Sequence, residues 1–122
     1  MDREKFEQLV SITIQALPDE FSHRLENIAI VVQDWPSVAQ LRRVGLRHSQ
    51  YLLGLYEGVP LTKRGHRYGL VPPDKITIFQ EPIERKCGQS DTKVVAEIAR
   101  VVKHEIAHHF GISDARLKEL DE

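Results

Sequence analysis

Cysteine, methionine and long apolar runs are all scarce here, and each scarcity excludes something. The single Cys87 rules out an internal disulfide and supplies no thiolate cluster for a metal. Nothing near it in sequence activates it as a nucleophile, which leaves a small packing residue or an incidental thiol. No apolar stretch approaches the roughly 18 residues needed to cross a bilayer. The first residues, MDREK, open straight into a charged amphipathic pattern without the apolar core of a signal peptide. A formal net charge of −1 gives no bulk attraction to nucleic acid or to a membrane surface. There is no internal repeat and no linker-like tract. The expectation is a cytosolic protein with residues 1–122 as a single domain, long enough for one real core.

The periodicities give an α+β order. Residues 2–17 read as an amphipathic helix with Phe6, Leu9, Val10, Ile12, Ile14 and Leu17 as its apolar positions, stopped by Pro18. A polar stretch with Phe21 and Leu25 is compatible with one short helical turn. Residues 27–35 (NIAIVVQDW) are rich in β-branched side chains and read as a strand. Residues 37–48 fit either a short helix or a loop. Residues 51–56 (YLLGLY) read as a second strand in which Gly54 permits a bulge or a close approach. Tyr51 and Tyr56 read as strand packing, not as catalytic phenols. Residues 75–80 (KITIFQ) alternate and form a third strand ended by Pro82, with a helical turn over residues 84–86. The predicted fold is a small sheet of three or four strands on one face of two long helices, with a short C-terminal helix.

Between the second and third strands, residues 57–74 carry three glycines and three prolines and read as a long loop. Such loops are often functional, and Lys63, Arg64, His66, Arg67 or Tyr68 could wall a cleft or stabilise an oxyanion. A solvated loop is the simpler reading for any one of these residues. A second basic stretch, Arg42, Arg43, Arg47 and His48, reads as a solvated face balanced by nearby acids.

What is abundant near the C-terminal end is chemistry. Residues 104–114 are HEIAHHFGISD, with the skeleton H-E-x-x-H-x-x-G-x-x-D. His104 and His108 are four apart on a predicted helix over residues 92–110, so both imidazoles lie on one face and can reach one metal ion. Glu105 then stands where it can take a proton from water polarised by that ion. Gly111 can adopt a positive φ and turn the chain after the helix, which can return Asp114 as a third ligand. Three protein ligands and one open position define a catalytic zinc site rather than a structural one. With six histidines in the chain, H-E-x-x-H arises by chance at roughly the per-cent level, and the added Gly and Asp lower that by about two orders of magnitude.

The helix itself is well marked. Ser90 or Asp91 can cap it, and Val94, Ile98, Val102, Ile106 and Phe110 make an apolar ridge widened by Val95 and Val101. His104 and His108 border that ridge. The simpler alternatives are a histidine pair favoured by the helix dipole and an Asp114 that caps a final helix over residues 114–120. His109 lies off the histidine row and reads as a residue behind the site or on the surface.

The motif of residues 104–114 resembles that of the Asp-type zincins, in which two His and one Asp bind a single catalytic zinc. Together with LLGLYEGVPL at residues 52–61 and ITIF at residues 76–79, it resembles the bacterial minimal-zincin family of predicted metallopeptidases over most of the chain. The resemblance implies a small sheet above an active-site helix, with a peptide-binding edge strand and a peptide or protein substrate. It implies His104, His108 and Asp114 as Zn2+ ligands and Glu105 as general base. The chain departs from the larger metzincins in one respect. They place a Met-containing turn beneath the metal, whereas Met1 is the only methionine here, so support must come from elsewhere, for example residues 117–120.

Two readings compete with a zinc peptidase. One is a catalytically inactive zincin-like module for binding or homodimerisation. The other is a metal-dependent ribonuclease, but bacterial enzymes with similar ligand spacing carry three His and a Gly in place of the Glu. Glu105, Asp114 and the near-neutral charge oppose it.

Overall fold

The computed structural model describes residues 1–58, 74–112, 115, 116 and 119. Helix α1 (Arg3–Gln15) is capped by Asp2, whose carboxylate accepts the Lys5 amide at 2.7 Å, as a free first-turn amide requires. Helix α2 (Asp19–Arg24) follows Pro18, and strand β1 spans Ile28–Gln33. The ambiguous stretch after β1 is helical: α3 (Val38–Val44) opens on a capping box in which Ser37 and Gln40 bond each other's main-chain amides. A 3-10 turn (Ser49–Tyr51) leads into strand β2 (Gly54–Gly58), and strand β3 (Asp74–Phe79) runs directly into helix α4 (Gln80–Cys87). Helix α5 (Asp91–Phe110) is capped by Ser90, whose hydroxyl accepts the Lys93 amide at 3.3 Å.

Among the described residues the sheet has three strands in the order β1-β3-β2, with β1 parallel and β2 antiparallel to β3. The central strand is buried on both faces. Ile76 and Ile78 face α1 and α5 within a core of Phe6, Leu9, Val10, Val94, Ile98, Val102 and Ile106. On the opposite face, Phe79 packs with Leu52 and Leu55 against Leu41 and Leu46. This is the predicted α+β arrangement of a small sheet on two long helices.

Five expectations are corrected. The second strand starts three residues later than its composition suggested, because residues 49–51 form a turn that leaves Tyr51 65% exposed. Tyr51 is therefore not strand packing. Pro82 does not end β3; it sits in the first turn of α4, where a missing amide costs no helical bond. Ile12 is 56% exposed and Phe110 is 44% exposed, so each apolar pattern extends past the surface its neighbours cover. Residues 84–86 belong to a full helix rather than a lone turn. The basic loop residues 63–68 and most of the predicted final helix lie outside the described residues; of residues 114–120, Ala115, Arg116 and Glu119 are described, and they are helical.

On the face away from α5, a buried polar network fastens α3 to the edge of the sheet. Gln40 donates to Glu57 at 3.0 Å and exchanges two 3.1 Å bonds with Gln33. Glu57 also accepts from Thr77 at 3.2 Å and pairs with Arg43 at 3.1 Å, which balances part of the basic stretch as predicted. Gln40→Leu should cost about 2 kcal/mol, since it strips donors and acceptors from groups that stay largely buried. Chemical denaturation checks this, and an unchanged midpoint would show that water replaces Gln40 freely.

Candidate metal centre and general base

Helix α5 carries the candidate residues because its apolar ridge is anchored along its length. Val94, Ile98, Val102 and Ile106 are fully buried, which fixes the helix rotation and with it the row of Val101, His104 and His108. His104 is half-buried and His108 exposed. Their ring centroids are 4.2 Å apart with planes tilted by 56°, so two imidazoles one turn apart converge on the same side. As a donor set, two imidazoles suit zinc and related divalent ions. Among the described residues no group of three His, Cys, Asp or Glu completes a metal cage, and Asp114, the predicted third ligand, lies outside those residues.

Gly111 behaves as its position demands. Its φ is +71°, the left-handed C-cap conformation, which costs a residue without Cβ little. The Ile112 amide then returns to the Ala107 carbonyl at 2.9 Å, a Schellman closure. Ile112 packs against the core. The helix therefore ends abruptly at Phe110, two residues after His108.

Glu105 leans off the helix toward the sheet. One carboxylate oxygen accepts the main-chain amide of Tyr56 at 2.8 Å, on strand β2, which is an edge of the sheet among the described residues. Burial pushes its carboxyl above the ordinary value, while the Tyr56 amide and the positive character of His108 and His104 pull the other way without cancelling it. A half-buried carboxyl with raised proton affinity, beside two imidazoles, has the character of a general base.

Sequence reasoning read Tyr56 as strand packing, and it does more. Its ring stacks on His109 with centroids 3.8 Å apart and planes 13° from parallel. Its hydroxyl donates to Asp74 at 2.7 Å. His109, expected behind the site or on the surface, is exposed and stacked on the strand. Main-chain donors leave no trace in side-chain patterns, so the Tyr56 amide had no signal to find. Gly54 did have one: a Cβ there would lie 2.3 Å from Val101 Cγ1, the close approach its presence in a strand suggested.

Cys87 is half-buried, and burial followed by the Glu97 charge pushes its thiol up, away from the thiolate a nucleophile needs. Glu97 is itself raised by burial but carried below the ordinary value by bonds from Arg100 and Lys86, an ion cluster that joins α4 to α5. No helix among the described residues is long and apolar enough to cross a membrane.

Residues 25–122 match the sequence model of a family described as zincin-like metallopeptidase. No curated protein is significantly similar to the chain.

Proposed function

Since the chain belongs to the zincin-like metallopeptidase family, we propose that it is a zinc-dependent peptidase with Glu105 as general base. The observation that carries this reading is the Glu105 carboxylate, half-buried, held by an edge-strand amide and next to the two converging imidazoles. His104, His108 and Asp114 are the residues that would hold the zinc. When bound, zinc supplies Lewis acidity that makes water nucleophilic near neutral pH and neutralises charge developing on a carbonyl oxygen.

The remaining work falls to the chain. Glu105 takes a proton from the attacking water at its carboxylate and returns it to the leaving amine. Its raised proton affinity suits both halves of that exchange, since a base that binds a proton too weakly accepts it poorly. Among the described residues strand β2 is a sheet edge, and an edge offers main-chain donors and acceptors to an extended peptide. The peptide carbonyl would then lie between that edge and the histidine row. The substrate we propose is a peptide or protein, and the compartment the cytosol, where a lone thiol stays reduced.

Calorimetric zinc titration of chelator-stripped protein tests the centre. One zinc should bind per chain, and His104→Ala should weaken it by about a hundredfold or more, since even partners behind a ligand matter tenfold to a hundredfold. Failure of the wild type to bind zinc would leave a non-enzymatic binding module as the better account.

A further inference from the structure

The alignment of β2 over α5 points to a role for Tyr56 that the H-E-x-x-H pattern does not contain. Three positions one helical turn apart, Val101, Glu105 and His109, meet the strand in sequence. Gly54 sits directly on Val101, the Tyr56 amide bonds the Glu105 carboxylate, and the Tyr56 ring lies flat on His109. The match is geometric. Two strand residues advance about 6.6 Å and four helical residues about 6 Å, so Gly54 and Tyr56 fall opposite successive turns, and the Tyr56 ring reaches one turn further to His109.

We propose that Tyr56 is the positioning residue of the site. Its main-chain amide holds the Glu105 carboxylate, and its side chain keeps that amide aligned. A Glu on a helix surface samples many rotamers, and a proton-transfer base has to occupy one. The amide that selects it belongs to β2, which the ladder with β3 fixes along the sheet but does not by itself hold against α5. The stack on His109 fixes it along the helix, and the hydroxyl bond to Asp74 ties it to the start of β3. The Gly54–Val101 contact sets its height. The consequence for turnover rests on the peptidase reading; the tether itself does not.

Amide exchange followed by NMR in metal-free protein tests the tether. The residue-56 amide should be protected in the wild type although it lies at a sheet edge. Glu105→Ala should speed its exchange about tenfold, the equivalent of one charge-assisted bond. Tyr56→Leu should do the same, and Tyr56→Phe, which keeps the ring, should retain most of the protection. The Leu55 and Glu57 amides serve as the check that β2 still forms. Should Tyr56→Leu fail that check, His109→Ala removes the stack from the helix side and gives the same comparison. In zinc-loaded protein, Tyr56→Leu should lower kcat about tenfold with KM and zinc affinity unchanged, and Tyr56→Phe should rescue it. Unchanged exchange in Glu105→Ala, or wild-type kcat in Tyr56→Leu, overturns the proposal. If the wild type hydrolyses no peptide, it is the peptidase reading that fails, and the exchange comparison still decides whether Tyr56 positions Glu105.

Discussion

Glu105→Gln keeps zinc binding and lowers peptide hydrolysis by about three orders of magnitude, within the range a positioned acid–base group contributes. The amide oxygen of Gln still accepts the Tyr56 N–H, so the side chain stays where the carboxylate was and only its proton affinity is lost. The clean comparison is single-turnover hydrolysis of a library-selected peptide by zinc-loaded wild type and variant, with zinc affinity measured in parallel. Full hydrolysis by the variant would remove Glu105 from the mechanism, whatever became of the metal.

The same substitution has a stability consequence of opposite sign. Burial raises the Glu105 carboxyl in the folded chain above its ordinary value, so the folded state binds this proton more tightly than the unfolded state. The group favours folding in acid, where it is protonated in both states. That contribution is lost as pH rises through the folded value, and above it the buried charge weighs against the fold. Gln never ionises. Metal-free Glu105→Gln should therefore melt about 2–4 °C above wild type at neutral pH, and the gap should close below about pH 4. Equal melting temperatures at both pH values would mean that the carboxylate is solvated as well in the fold as outside it. A gain in stability with a loss of activity is the usual signature of a strained functional group.

The second large effect concerns Gly54, which makes no chemical contribution at all. Gly54→Ala places a Cβ 2.3 Å from Val101 Cγ1, well inside van der Waals contact. Val101 is buried on a helix, where a β-branched side chain has essentially one rotamer and cannot swing aside. The strand must lift instead, at about 2–3 kcal/mol. Because Tyr56 is two residues further along, the lift also loosens the Glu105 tether. Adding Val101→Ala opens the space, so the double variant should recover about 1–2 kcal/mol relative to the sum of the single ones. Urea denaturation of the four proteins measures it. Additive single effects would show that Gly54 and Val101 do not share a contact that matters.

Much of this was legible in the linear chain, and for identifiable reasons. A 3.6-residue apolar period over α5 sets which face is buried, and the histidine spacing follows from helical geometry alone. Gly111 is required by the left-handed end of the helix, since a positive φ is cheap only for a residue without Cβ. The sequence miscasts the ring of Tyr51 because residues 51–56 share one apolar-looking pattern that suggests a single strand. A 3-10 turn takes the first of them, and nothing local distinguishes the two. Ile12 and Phe110 escape the pattern because a period says which side faces inward, not how far the neighbouring element extends to cover it.

The sequence by itself determined the α+β order of elements, the helix that carries His104 and His108, its cap and its end, and the four-residue spacing of the two histidines. Each is a local property, decided by residues within a few turns of one another. Only the tertiary structure decided that β3 is the central strand with β1 parallel beside it, and that β2 lies along Val101, Glu105 and His109. It also decided that a main-chain amide 49 positions away in sequence holds Glu105. Those contacts depend on how separate surfaces complement one another, and a backbone N–H is present at every residue but proline, so no pattern of side chains singles out the one that will be used.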